Sequence, residues 1–543
     1  VTRSHKTALI VFVVALIVYL LSMSNIFNGD GLGYARLVET ADFDRLCSVS
    51  ARLLFCPSGK VLHEVAHFIG FPIRSVRSLQ ALNAIFGAAG VAIFFLAAYL
   101  ISRSRWMSLV AALGFGGSLA YWFWSTNATS YPGNICFLVL TLYLLLKLAQ
   151  ARSHDGIAGS AVWIGVAHAF AGFYWLTAIL LVPAVTMSIL IVSDRAEFRL
   201  RAKAAAAYIL SFGACLFVPL FAAGLITGRV SSLSDFPAWL TAASYGIPPD
   251  LSLLNFSRGV IGFSSSVFRL VDLGPLVKST VWGVPFVEQS RAGVYAELGV
   301  IAALWATISV MTVAFAICRK RIMREHPRQV IILLLWVALP AVFGLVWLGS
   351  DTERWLAVLP AMWLLMVVVV TDVNGKRFPS SPRWVRTLFA VFAFATVSYN
   401  AAFSVLPDED IDNNEYLKAA RILDLRMSEN DLVLLWGHDH EFTGEHLAYF
   451  HGKQASHVAQ VLRETGKQTF NVLQSSIDEA RSHGGRIFLM GRLFVDGGPG
   501  KSEIESINVD VSREQFQDFF SRGTRRVAFS LGNDSFWELI GEP

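Results

Sequence analysis

Residues 59–68 read Gly-Lys-Val-Leu-His-Glu-Val-Ala-His-Phe. His63, Glu64 and His67 stand in the spacing H-E-x-x-H. On a helix this spacing sets two imidazoles one turn apart with a carboxylate beside them, an arrangement that can hold and use zinc. The same residues carry a second pattern. Lys60, His63, Glu64 and His67 recur at i, i+3, i+4 and i+7, while Val61, Leu62, Val65, Phe68 and Ile69 cover the rest of the circumference. That pattern describes an amphipathic helix lying in a membrane surface with its polar stripe towards water. Pro57 and Pro72 bracket only about four turns, too short for a bilayer-spanning helix. The flanking sequence decides between the two readings.

The chain of 543 residues is 54% hydrophobic and 16% charged. Its mean hydropathy is +0.53. Soluble domains carry about 25% charged residues, so the bilayer is the expected solvent. Apolar runs recur up to residue 405, and the remainder has the composition of a soluble domain. The expected organisation is a polytopic α-helical membrane domain over 1–405 and a small α/β domain over 406–543. About eleven segments have the length and apolarity of spanning helices: 7–24, 81–102, 106–126, 132–149, 157–173, 174–193, 203–227, 296–318, 329–349, 355–372 and 386–405. The first has the length of a signal peptide but no small-residue cleavage site, and is read as retained.

Lys and Arg set the orientation. Basic clusters occur at Arg3 and Lys6, Arg103 and Arg105, Lys147 and Arg152, Arg195 to Lys203, Arg319 to Arg328, and Lys376 to Arg386. With alternating spans all of them fall on one side, the cytoplasmic one. The chain is therefore expected in the cytoplasmic (inner) membrane, with its N-terminus inside and its C-terminal domain outside. Two long loops, 25–80 and 228–295, share the outer side, where function is expected. The net charge of +5 is modest, and no basic run is interleaved with aromatics, so no nucleic-acid partner is expected. Cys47 and Cys56 lie in one outer loop and could pair there. Cys136, Cys215 and Cys318 read as buried thiols in apolar runs.

Three outer-side stretches stand out. Asn28-Gly29-Asp30-Gly31 follows the first span and offers a carboxylate at the membrane surface, with glycines that permit close approach. The G-D-G-L-G run is no nucleotide fingerprint, because no strand precedes it. Ser350-Asp351-Thr352-Glu353-Arg354-Trp355 follows the ninth span, and the planar fork of Arg354 suits a phosphate. Tyr121 to Tyr131, rich in Trp, reads as an interfacial aromatic belt.

These pieces, in this order, resemble the GT-C superfamily of integral-membrane glycosyltransferases, above all the bacterial branches related to protein mannosyltransferases and lipid A aminoarabinose transferases. The resemblance covers about residues 7–405. It rests on Asn28-Gly29-Asp30, on the His-bearing helix Leu62 to Gly70, on Leu82 to Val91 followed by Trp124 to Tyr131, and on Glu353-Arg354-Trp355 leading to Leu359-Pro360. It implies a GT-C fold and a sugar donor linked to a polyprenyl phosphate. Glycan, lipid or protein is the implied acceptor, membrane lipids surround the chain, and transfer proceeds with inversion. By position, Asp30 matches the catalytic base, and His63 and Glu64 are further catalytic candidates. Lys60, His67, Tyr131, Glu353 and Arg354 are candidates for holding the substrate. Glu39, Asp42 and Asp44 are candidates for a second acid. No cofactor is certain and a divalent metal is possible.

The alternative, a zinc-dependent membrane metalloprotease built on His63 and His67, needs a third protein ligand. After His67 no Asp, Glu or His occurs before His154 and Asp155, expected on the opposite side; Asp272 and Glu353 are distant candidates. A non-catalytic or transport protein is a further alternative, but a transporter usually carries charges within its spans, and these are nearly charge-free.

In the C-terminal region, Asp431 to Trp436, Arg486 to Met490 and Arg525 to Ala528 read as strands. Helical patterns fall at 413–427, 442–450, 472–483 and 512–521. This alternation predicts a largely parallel sheet. The loop Gly437 to Glu441, with His446 and His451 nearby, lies where such a sheet would bind a ligand, but its spacing matches no known metal pattern, and a polar loop capping the next helix is the favoured reading.

Overall fold

In the computed structural model the described residues are 3–47, 50–151, 156–192, 198–241, 249–270, 291–371, 382–436, 442–495, 499, 511–531 and 534–540. Arg152, His154, Asp155, Arg195, Asp272, Lys376, Arg377 and the 437–441 loop lie outside them. The chain divides into two compact units. One comprises Val1–Ser24 and Leu37–Glu409, the other Asn25–Arg36 and Asp410–Pro543.

The first unit is helical. Among the described residues, eight helices are long and apolar enough to cross a membrane: Arg3–Leu21, Ser75–Ser102, Tyr131–Gln150, Ile157–Tyr174, Phe198–Ile226, Ala292–Glu325, Pro327–Val346 and Arg383–Glu409. The remaining expected segments are also helical. Arg105–Gly117 and Leu119–Thr126 form one apolar segment bent by 64°, and Leu176–Ile191 and Leu359–Val370 are shorter. This is a multi-pass membrane protein.

Close backbone approach organises the bundle, as expected where lipid supplies no hydrophobic drive between helices. A Cβ on Gly165 would lie 2.7 Å from the Tyr208 carbonyl oxygen, so helices Ile157–Tyr174 and Phe198–Ile226 meet nearly backbone to backbone. His168 joins the same pair: its Nε2 donates to the Ala178 carbonyl at 2.9 Å, and its Nδ1 lies 2.7 Å from the Tyr208 hydroxyl.

The bend at Ser118 alters the reading of the aromatic stretch. Tyr121, Trp122, Trp124 and Tyr131 are buried rather than arrayed as a surface belt. The Tyr121 hydroxyl donates to the Gly87 carbonyl at 2.8 Å, and Trp122 Nε1 donates to Ser22 Oγ at 3.0 Å. Belt and core use the same amphipathic rings, and the bend turns these inward, where Tyr121 and Trp122 find partners for their polar atoms. Cys47 and Cys56 do not pair: both are free thiols, and burial pushes the Cys56 thiol up to about 12.

The second unit holds a five-stranded sheet in the order β2-β1-β3-β5-β4. Its strands are β1 Leu432–Leu435, β2 Gln454–His457, β3 Ile487–Met490, β4 Arg525–Leu531 and β5 Asp534–Leu539. β1 runs parallel to β2 and β3, whereas β5 is antiparallel to β3 and to β4. The sheet is therefore mixed rather than largely parallel, because β5 begins only three residues after β4 ends, too few for the crossover that a parallel pair needs. The four expected helices are present as Glu415–Asp424, Thr443–His451, Thr469–Ser482 and Arg513–Ser521. Asp431 ties β1 to β3 by accepting from the Arg486 backbone N–H and guanidinium, each at 2.7 Å.

Candidate functional site

The helix Phe55–Phe68 forms as the periodicity of the opening stretch predicts. It is rotated relative to the expectation. Val61 is 66% exposed and Phe68 91%, whereas His63 is only 9% exposed. An apolar face turned outward suits a lipid solvent, and one edge of the polar stripe packs against protein instead. Lys60 Nζ donates to the Val38 carbonyl at 3.0 Å, and His63 Nδ1 lies 3.2 Å from Ser78 Oγ. Burial, then the neighbouring His67, lowers the His63 pKa and favours the neutral imidazole. The other edge of the stripe stays exposed. There His67 Nε2 donates to the Ile73 carbonyl at 3.3 Å, and Glu64 sits 3.8 Å from Lys60.

The two imidazole rings are 4.4 Å apart between centroids. Among the described residues, no group of three or more His, Cys, Asp or Glu could hold a metal ion. Glu39, a candidate second acid, accepts from the Ser75 N–H at 3.2 Å and the Ser75 hydroxyl at 2.8 Å. It therefore stands at the N-terminus of helix Ser75–Ser102, where a carboxylate is stabilised by the helix dipole.

A second cluster forms around the turn after Pro327–Val346. The Arg354 side chain is 11% exposed, and its Cζ lies 4.4 Å from the Trp347 ring centroid and 5.2 Å from that of Trp175. Its ion pairs with Asp351 and Glu353 are both long, at 3.9 Å. Its Nε is buried without a hydrogen-bond partner among the described residues. Burial and then Asp351 push the Glu353 carboxyl up to about 7, against the opposing pull of Arg354 and Arg52. Tyr131 stacks edge-on against Trp124 and Trp175, at 4.9 and 4.8 Å, and Arg52 lies 5.8 Å from its ring centroid.

Trp355, next to Arg354, is in the wall of an apolar cavity of about 560 Å³ that Phe263, Trp305, Met311, Phe315 and Met366 also line. The turn is held by bare backbone. A Cβ on Gly262 would collide with the Gly349 carbonyl oxygen. Leu348 adopts a left-handed φ of 49°.

The structure thus brings Tyr131, Glu353 and Arg354 into one aromatic and charged cluster. Lys60, His63, Glu64 and His67 share another element. Arg52, Trp175 and Trp347 are members of the Arg354 cluster that sequence reasoning missed. The weak break between apolar segments at 173–177 is the one local signal for Trp175.

Asp30 belongs with the second unit. It lies exposed in the first turn of helix Gly29–Thr40, and its N–H donates to Asn28 Oδ1 at 2.8 Å. A Cβ on Gly29 would run into the Phe442 ring, so this glycine makes room for an aromatic side chain. Within the same unit, Asn414 Nδ2 donates to the Asn25 carbonyl at 2.8 Å and lies 3.1 Å from His446 Nε2. His446 Nδ1 donates to the Phe442 carbonyl at 2.8 Å, and burial lowers the His446 pKa to about 4. His451 Nδ1 pairs with Asp424 at 3.0 Å. Both histidines therefore serve the packing of this unit.

No protein-family model matches the chain, and no curated protein sequence does. Among solved structures, it is similar to ArnT from Cupriavidus metallidurans bound to undecaprenyl phosphate, with a TM-score of 0.59 and 13% identity over 98% of this chain and 97% of that one. This chain has the GT-C fold. ArnT in the apo state matches at a TM-score of 0.47 and 15% identity, over 99% of this chain and 98% of that one. The Archaeoglobus fulgidus oligosaccharyltransferase matches at 0.48 and 13%, over 88% of this chain and 67% of that one. The likeness to the first ArnT structure bears out the GT-C fold expected from the sequence.

Proposed function

We propose that this chain is a membrane glycosyltransferase that moves a sugar from a polyprenyl-phosphate-linked donor to an acceptor on the outer face of the cytoplasmic membrane. The observation that carries the reading is Arg354. Its guanidinium is clasped by two indoles, makes long ion pairs with Asp351 and Glu353, and adjoins a residue lining an apolar cavity. A buried cation beside an apolar tract suits a phosphate carrying a lipid tail. The similar ArnT structure was solved with undecaprenyl phosphate bound.

In this reading Asp30 takes the proton of the acceptor hydroxyl. The acceptor oxygen attacks the anomeric carbon, the bond from that carbon to the phosphate oxygen breaks, and the lipid phosphate leaves with the electron pair. Attack opposite the leaving group inverts the anomeric centre. Arg354 stabilises the charge that grows on the departing phosphate. Tyr131 shapes the aromatic wall, while Lys60, His63, Glu64 and His67 contribute polar groups to the substrate site.

The test is retention of polyprenyl phosphate by purified protein. Arg354→Ala should weaken it by about tenfold or more, the usual worth of a hydrogen bond to a charged group. Equal retention by wild type and variant would remove Arg354 from the phosphate site.

A further inference from the structure

Helices Arg105–Gly117 and Arg383–Asn400 lie side by side in the first unit. Their C-terminal ends meet where Asn400 Nδ2 donates to the Gly117 carbonyl at 2.8 Å and Val397 packs on Gly117. Their N-terminal ends are joined by Trp106, Met107, Arg383 and Arg386, which line one groove of about 760 Å³. The helices therefore run in the same direction. Along Arg383–Asn400 the lining residues 383, 387, 390, 391, 394 and 398 form one helical stripe. Val391 and Phe394 on that stripe are exposed, and so is Trp106 across the groove.

The groove has a polar end and an apolar length. Two guanidiniums and an exposed Trp mark an interfacial depth, and the stripe beyond them is mainly apolar. From Arg383 to Ser398 the helix rises about 22 Å, at about 1.5 Å per residue. One leaflet with its headgroup region is about 20–22 Å thick. The small side chains Ala390 and Ala395 make room for chains to lie in the groove.

We infer that this groove binds a phospholipid with an anionic headgroup, its phosphate at Arg383 and Arg386 and an acyl chain along Ala390 to Ser398. The site shares no lining residue with the Arg354 cluster, so it does not depend on the proposed transfer reaction. Ordinary lipid contact requires neither a concave groove nor a paired positive end. Charge complementarity is what selects an anionic over a zwitterionic lipid.

Purified protein in mixed micelles of phosphatidylglycerol and phosphatidylcholine tests this, with retained lipid counted by native mass spectrometry. Two basic side chains, each worth about fivefold at an anionic surface, predict a preference for phosphatidylglycerol of up to about 30-fold. Arg383→Ala with Arg386→Ala should lose that preference, and Arg383→Lys with Arg386→Lys should keep most of it. Ala395→Trp fills the groove without changing its charge and should also release the lipid, which provides a test if the alanine pair fails to fold. Equal retention of the two lipids by wild type overturns the inference, as does undiminished phosphatidylglycerol in a folded alanine pair or in Ala395→Trp. Displacement by inorganic phosphate alone would mark a free-phosphate site and overturn it too.

Discussion

Glu353 carries the most informative single charge. Its carboxyl stands at about 7 against an ordinary 4.5. Because folding raises this pKa, the ionised form is disfavoured in the folded chain. Below pH 4.5 both folded and unfolded chains hold the proton, and nothing is lost. Between 4.5 and 7 only the unfolded chain releases it, so stability falls as pH rises, by up to about 3 kcal/mol above pH 7. Glu353→Gln should therefore melt higher than wild type at about pH 8 and equally at about pH 4. Identical melting at the higher pH would show that burial does not penalise this carboxylate. At Arg354, lysine should not substitute: it keeps the charge but loses the planar fork between Trp175 and Trp347. Arg354→Lys should lower transfer by about 100-fold, in the range for removing a group that stabilises developing charge. Near-wild-type transfer would mean that charge alone suffices.

At the scale of elements, glycines and caps set the positions. Gly262→Ala would drive a Cβ into the Gly349 carbonyl, backbone against backbone. Helix Leu253–Val267 or the 347–355 turn must then move, at a cost of about 1–3 kcal/mol. A lowered melting temperature with reduced transfer is expected, and an unchanged protein would show that the contact is loose. In the second unit, Asn414 plays the capping part: it closes the first turn of helix Glu415–Asp424 and also holds Asn25 and His446. Some of these elements were legible in the sequence. β1 and β3 are buried along their whole length and stand out as apolar runs. β2, Gln-Ala-Ser-His, is a polar edge strand recognisable only by its pairing with β1. The periodicity of Phe55–Phe68 was legible, but its orientation was not, because a period does not say which face meets protein.

At the scale of the molecule, the membrane helices were legible because length and apolarity are one-dimensional properties. The Arg354 cluster was not, because Arg52, Tyr131, Trp175 and Trp347 are far apart in sequence and meet only by packing. Asp30 shows the same limit: sequence places it in a loop of the membrane region, and the contacts group it with the C-terminal unit. The proposed orientation predicts that a cysteine at Lys203 is labelled from the cytoplasmic side and one at Glu64 from the outside. Labelling of both from one side would contradict it. The central claim is tested most directly by sugar transfer. Purified protein is given a panel of polyprenyl-phosphate sugars and an acceptor extract, with wild type and Asp30→Asn compared with and without a chelator. The account predicts transfer by wild type that survives the chelator and is lost in Asp30→Asn. Transfer at the wild-type rate by Asp30→Asn, or none from any donor by folded wild type, would contradict it.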